Sequence, residues 1–572
     1  MALFGGGKPD HPMADPKQAR ELISEFPAND ATKGLEEVTF WLDSVSRTEG
    51  FKLDYRYELY DLLDQAAKNH QRKLSQDYLA TDRQEKFRES KLWNSIFEFW
   101  KTLGSCYNQC IEQFQAGASG AGAIKKDLPA IVARALRTLT LQLKWSSLRY
   151  GPVDDRVWGE LGRLYLFAES KRFATTAIDI YPGAHGQGTV EQEFLKALML
   201  GVSSTDGLTP LKQEIAERTV AYFGKQYLIQ AQPGPECNYY FDLSMRKAAA
   251  RVMKSIEPNP MIRYFGAGKA LPELRQLIDD IKAKEGVPSD VNLGGTYDND
   301  LVLSVMGHLA MYWSDKPPAR GSERRKIATR LTVVHGMGRI LHCIRPPEED
   351  VSLDFQAKDG GESWIVENVS EGGFGAIVPQ VKGDWIKVGS LLGVQSETAK
   401  FWGAGVVRRL TRDEFQQRRV GIQLISKAVI PVTLAPAGNV SSFNVMRGGE
   451  PAILLSTTPD KNGDIALMLK VGSYTPTQAL EMNVRGKQYY LMPAQAGRRW
   501  RRFRLGQIQG HEDRLLACRR LQVRRAVLSP ATCRWRRFLP GIPSVASGTL
   551  AIPPGSLTRP VCRARRWPWR AE

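Results

Sequence analysis

Trp364-Ile-Val-Glu-Asn-Val-Ser-Glu-Gly-Gly-Phe-Gly-Ala-Ile-Val378 is the stretch on which the fold turns. Two short apolar runs, Trp364–Val366 and Ala376–Val378, enclose the polar segment Asn368-Val-Ser-Glu-Gly-Gly373. β-Branched and aromatic residues broken by Asn, Ser and Gly spell a hairpin. The same texture continues outward on both sides. Leu331–Val334 and Leu353–Phe355 precede it, and Leu391–Val394, Gly403–Arg408 and Val420–Ile425 follow. Short strands at this spacing predict a small antiparallel β-barrel over residues 320–434.

A basic cluster, Ser322-Glu-Arg-Arg-Lys-Ile-Ala-Thr-Arg330, leads into the first of these strands. Arginine offers a planar fork that matches phosphate oxygens or the O6/N7 edge of guanine, and it stacks on a base. Asn and Ser in a tight turn add short hydrogen-bonding side chains. Glycines let a ligand approach the backbone N–H groups. Arg324, Arg325, Lys326, Arg330, Asn368, Ser370, Gly372 and Gly373 are therefore the candidate site, suited to a ligand with phosphate and guanine groups.

These residues resemble a PilZ domain, whose pattern is an R-x-x-x-R loop followed by a [D/N]-x-S-x-x-G turn on a six-stranded barrel. Asn368, Ser370 and Gly373 match the second motif position by position. Trp385-Ile-Lys-Val-Gly389, Gly405-Val-Val-Arg-Arg409 and Val420-Gly-Ile-Gln-Leu424 resemble the closing strands of that family. The first motif departs from the pattern. Four residues before Arg330 stands Lys326, and Arg325 is five away, so either lysine replaces arginine or the loop carries one extra residue. The resemblance implies a bacterial receptor for cyclic di-GMP, with outputs such as motility, pili or biofilm. A ligand-independent adaptor with a degenerate barrel and a helical protein-binding face is one alternative, and a nucleic-acid binder acting through the basic tail is another.

The rest of the chain frames this segment. Residues 1–18 read as a loose N-terminus. Residues 19–315 read as an all-α module, with helical runs over 125–148, 155–181, 190–201, 208–230, 241–256, 270–284 and 297–313. Trp100, Leu103, Gly104 and Tyr107 share the spacing W-x2-L-G-x2-Y with Trp158, Leu161, Gly162 and Tyr165, which is similar to the first helix of a tetratricopeptide repeat. The plainer reading is two buried helices whose glycines admit a close neighbour. Either way the module presents a surface for a protein partner. Residues 435–493 predict a small β extension, with a turn at Asp460-Lys-Asn-Gly463. The fold class expected is multidomain α+β.

The net charge of +18 invites a nucleic-acid reading. It resides in residues 494–572, which hold 18 Arg against three acids, whereas the preceding 493 residues carry only +3. This tail changes composition abruptly and has no helical or strand period. It reads as disordered and as the product of a shifted frame in a GC-rich gene, so no nucleic-acid partner is expected through it. The seven cysteines are scattered and the histidines lack metal-ligand spacing, so no metal site is expected. No apolar run reaches membrane-span length and no signal peptide is evident, which predicts a cytoplasmic protein. No nucleophile elbow, phosphate loop or zinc-protease motif occurs, so no enzyme is expected.

Overall fold

The computed structural model describes residues 9–491, apart from 83–84, 182–185, 254–255, 285, 319–322, 346–360, 380–384, 437–448, 457–463, 471–478 and 485–486, together with the backbone of 515–522. The expected strand at Leu353–Phe355, the turn at 460–463 and most of the basic tail lie outside the described residues.

Eight helices open the chain: α1 (Pro16–Ser24), α2 (Ala31–Arg47), α3 (Leu53–Ala80), α4 (Lys86–Gln115), α5 (Leu128–Leu148), α6 (Asp155–Ser170), α7 (Val190–Val202) and α8 (Pro210–Tyr222). Their ends follow local chemistry. Asp15, Asp30 and Asp154 each accept backbone N–H bonds at a helix start, and Thr189 with Gln192 forms a reciprocal capping box. Helix α5 is the hub. Seventeen of its 21 residues are buried, so it is wrapped on all sides by α4, α6, α7 and α8 rather than presenting one apolar stripe.

Several buried polar groups inside this module are paired. Tyr107 and Tyr181 both donate to Asp64 Oδ2, at 2.6 and 3.2 Å, and Arg134 is ion-paired with Asp61. Lys144 lies 2.7 Å from both Glu214 and Glu217. The four aromatics of the repeat-like spacing, Trp100, Tyr107, Trp158 and Tyr165, are all buried. Their glycines meet different neighbours. A methyl at Gly104 would lie 2.6 Å from Thr138 on α5, whereas one at Gly162 would lie 2.5 Å from the Leu243 carbonyl, on a loop. Two buried helices explain the spacing, and no hairpin is repeated.

The helical run expected over 241–256 is replaced by strands. After α8 come β1 (Leu228–Gln230), β2 (Tyr239–Asp242), β3 (Ala250–Arg251) and β4 (Ile262–Gly266), in an antiparallel sheet of order β1-β4-β2-β3. Tyr239 and Phe241 alternate inward and are buried. That period of two outweighs the helical propensity of Met245–Val252. Helices α9 (Ala270–Lys284) and α10 (Asn299–Tyr312) complete the module.

The barrel follows. Its strands are β5 (Arg325–His335), β6 (Glu362–Ser370), β7 (Gly373–Val378), β8 (Leu391–Ser396), β9 (Gly403–Arg412) and β10 (Arg418–Ser426). They close in the order β10-β7-β6-β5-β8-β9, every pair antiparallel. Leu331, Val333, Trp364, Val366, Ala376, Val420 and Ile422 fill the interior. Trp385 stacks against both His335 and Trp364 there, with ring centroids 4.3 and 5.9 Å apart. Helix α11 (Gly336–Ile344) leaves β5 and packs on β8. It also touches a second sheet, β11 (Ile430–Pro436), β12 (Glu450–Leu454), β13 (Asp464–Lys470), β14 (Leu480–Val484), β15 (Lys487–Leu491) and β16 (Leu515–Gln522). That sheet runs β15-β14-β11-β12-β13-β16, so the one described part of the basic tail is a strand on β13. The fold class is multidomain α+β, as expected.

Candidate functional site

The motif residues gather at one end of the barrel because β5, β6 and β7 are neighbours. Cross-strand partners share a face. Lys326 lies opposite Asn368, Asn368 opposite Gly375, Gly375 opposite Gly421 and Gly421 opposite Arg409. This row is on the outer surface, since Ala376, Val420 and Leu410 beside it point inward and are buried. A second outer row runs Arg330, Ile365, Ile377, Arg419 and Thr411. Ile365 keeps 54% of its surface exposed between those arginines, a flat apolar spot suited to a base.

The basic cluster is therefore mostly strand rather than loop. Arg325, Lys326 and Arg330 belong to β5 and are exposed, and exposed Arg324 immediately precedes it. The register also bears on the altered spacing. Arg325 is opposite Val369, whereas Lys326 shares the outward row with Asn368. Arg330, four residues on, sits on the neighbouring outward row. Lys326 on that row neutralises a phosphate but makes no fork, and β5 carries one residue more than β6 between the Lys326 and Thr329 rows.

Asn368 faces outward only because the register is stepped. Between the Lys326 and Thr329 rows, β5 spans three residues, β6 two and β7 one. Glu367 is the extra residue of β6, a bulge. Without it, the period of two would place Asn368 on the same inner face as Val366. Gly375 makes room for the result: a Cβ there would lie 2.6 Å from Asn368 Oδ1. That oxygen is buried and has no hydrogen-bond partner. An orphan carbonyl oxygen is costly and uncommon, and it marks a place where a donor is wanted.

The turn itself is tight. Ser370 Oγ donates to the Gly373 carbonyl at 3.4 Å, and the Leu424 N–H donates to the Gly372 carbonyl at 2.9 Å. Gly373 has φ +155°, and a Cβ on it would lie 1.9 Å from the Ile422 carbonyl oxygen, so only glycine fits. Gly372 is open, with nothing within 4 Å of an added Cβ.

Three residues on these outward rows lie outside the two motifs. Gly421, Arg409 and Arg419 come from β9 and β10, some forty to fifty residues beyond the turn. Strand pairing places Gly421 and Arg419 on β10, next to β7, and Arg409 one strand further round on β9. Arg419 lies 3.4 Å from Glu367 and 3.5 Å from Asp413. Arg409 reaches the helical module, with Nε 3.7 Å from Asp206 Oδ2 and Nη2 donating to the Tyr312 hydroxyl at 3.4 Å. A second contact between module and barrel is closer. The Arg412 N–H donates to the Tyr150 carbonyl at 2.6 Å, Tyr150 packs against the barrel core, and its hydroxyl donates to the Leu208 carbonyl at 2.8 Å.

A helical module, a closed six-stranded antiparallel barrel, an N-x-S-x-x-G turn and exposed cationic residues on the barrel's outer face are the features that the structure shows. Comparison with protein families bears on another part of the chain. Residues 17–233 match the family described as "Cyclic-di-GMP receptor FimW, N-terminal domain". The expectation of a cyclic di-GMP receptor family holds, and this support comes from the helical module, which carries none of the barrel's motifs. No curated protein matches the chain. Among the described residues, no group of His, Cys, Asp and Glu could hold a metal, and no helix is long and apolar enough to cross a membrane.

Proposed function

We propose that the outer face of the barrel binds cyclic di-GMP and that its occupancy is passed to a protein partner through the helical module. The observation that carries the reading is the buried, unpartnered Oδ1 of Asn368 on the row of Lys326. A guanine N–H, or a water held by phosphate, meets that need. Lys326 and Arg330 supply charge on adjacent outward rows, Arg324 and Arg325 extend it at the strand's start, and Ile365 offers a face to a base. Ser370 and the open backbone at Gly372 and Gly373 contact the ligand from the turn. The role is a cytoplasmic effector in bacterial signalling, controlling motility, pili or biofilm, with no catalytic step and no metal.

Calorimetry on the full chain tests this. Cyclic di-GMP binds the unmutated protein, and Ser370→Ala or Arg330→Ala weakens it about tenfold or more, the loss of one charge-assisted hydrogen bond. Absence of binding to a folded, unmutated chain overturns the reading. It would favour the ligand-independent adaptor, for which lysine at position 326 is the supporting observation.

A further inference from the structure

We infer that Arg419 is a positioning residue: it acts through Glu367 on Asn368, and it ties Asn368 to the turn where the helical module meets the barrel. This rests on the reading of Asn368 as a contact for cyclic di-GMP. The first observation is how little the Asn368 side chain holds itself. Its Oδ1 is buried and has no hydrogen-bond partner, so the backbone beneath it sets the direction of the amide. That backbone is the least regular part of β6. Glu367 has no cross-strand partner on β5 or on β7. At such a bulge the extra residue is unpaired and the ladder is disrupted. Were Glu367 to slide opposite Gly375, the period of two would turn Asn368 to the inner face.

The second observation is what grips the bulge from outside. Glu367 Oε1 lies 3.4 Å from Arg419 Nη2. Strands β6 and β10 are the two neighbours of β7, so the guanidinium has a single strand to cross. Arg419 is opposite Ile377, which is opposite Ile365. Its charge therefore draws the Glu367 carboxylate toward the Ile365 row and away from the Gly375 row. The Gly375 row is left to Asn368, which is the arrangement that faces its amide outward.

The third observation is the other end of the same guanidinium. Arg419 Nη2 also lies 3.5 Å from Asp413 Oδ2. Asp413 is anchored, because its Oδ1 accepts the Phe415 and Gln417 N–H groups at 3.0 and 2.9 Å and so shapes the turn between β9 and β10. Its neighbour Arg412 donates its N–H to the Tyr150 carbonyl, and Tyr150 lies between α5 and α6 of the helical module. Asp413, Arg419 and Glu367 thus run from the docking point of the module to the bulge under Asn368. The three side chains are 17%, 46% and 32% exposed, and pairs this open contribute little singly. The effect expected is a modest coupling. A ligand that fixes Asn368 also fixes Glu367 and steadies the turn, and by linkage a module that steadies the turn favours the ligand.

The test combines calorimetry and hydrogen exchange with cyclic di-GMP on the full chain. Arg419→Met, which keeps the stem and loses the charge, weakens binding about two- to fivefold. Combined with Glu367→Gln, the same substitution changes affinity by less than about twofold, because no carboxylate remains on the bulge for Arg419 to hold. Arg419→Lys, which keeps the charge, restores most of the affinity. Saturating ligand slows exchange in the turn at residues 411–418 about threefold in the unmutated chain, and Arg419→Met abolishes the slowing. Should Arg419→Met fail to fold, as judged by circular dichroism, Arg419→Gln takes its place. The inference falls, and the site stands, if the unmutated chain binds ligand while any of three results appears: Arg419→Met leaves affinity unchanged, it costs the same factor with and without Glu367→Gln, or the ligand leaves exchange in the turn unchanged. If the unmutated chain binds nothing, both fall.

Discussion

Asn368→Ala separates a residue kept for binding from one kept for folding. In the free protein, Asn368 Oδ1 is buried without a partner. Leaving such an oxygen unpaired costs about 1–3 kcal/mol, and the alanine variant recovers that. Against it stands the lost packing of the amide over Gly375, about 1 kcal/mol for a half-buried group. The two nearly cancel, so the stability of the free variant changes by about 1 kcal/mol or less, tilted toward a gain. The liganded state behaves differently. At a hundredfold excess of ligand over Kd, the unmutated barrel gains about 2.7 kcal/mol. Losing a hydrogen bond from a ligand group to Asn368 removes about 1.5–3 kcal/mol of that, leaving at most about 1 kcal/mol. Urea denaturation with and without cyclic di-GMP reads both numbers. A free variant destabilised by more than about 2 kcal/mol would show that the amide holds the fold. An undiminished ligand gain would show that it does not meet the ligand.

Further outcomes follow from individual sites. Gly373→Ala forces a Cβ to 1.9 Å from a backbone carbonyl at φ +155° and should cost about 3 kcal/mol, whereas Gly372→Ala, facing open space, should cost under about 0.5 kcal/mol. Equal melting temperatures for the two would contradict the turn geometry. Burial pushes the Asp64 carboxyl up from its ordinary 3.8, with the Tyr107 and Tyr181 hydroxyls and Arg134 pulling partly back. The folded state then holds a proton that the unfolded state has lost, so this group makes stability fall as pH rises above 3.8 toward the folded pKa. Asp64→Asn should flatten that fall in urea denaturation as pH rises above 3.8, and unchanged slopes would refute it. Burial pushes the Cys110 thiol up to about 12 and Cys106 well above its ordinary range, so iodoacetamide should label partly exposed Cys343 in the native protein while both stay unmodified. Equal labelling rates, read by mass spectrometry, would contradict their burial.

Much of this architecture was legible in local pattern. Apolar residues at three and four produced the helices, and alternation around the Asn368–Gly373 turn produced the barrel strands, because backbone geometry sets both periods. The segment 241–256 misled, since its helical composition is overruled by Tyr239 and Phe241 turning into a sheet on α6 and α7. The turn residues were legible because Gly373 must be glycine and its neighbours are short and polar. The direction of Asn368 was not, because a bulge at Glu367 breaks the period that would have placed it inside.

The sequence by itself thus determined most of the kinds of element, their order, the N-x-S-x-x-G turn and the isolation of the positive charge in the tail. All of these depend on residues close together in the chain. The tertiary structure alone decided which residues share the outer rows of the barrel. Gly375 comes beside Asn368 and Lys326 through the register of a closed barrel, and Asp206 and Tyr312 reach Arg409 on the far side of that barrel from a separate module. Register and docking are settled by the packing of cores over long sequence separations, and no local pattern encodes them.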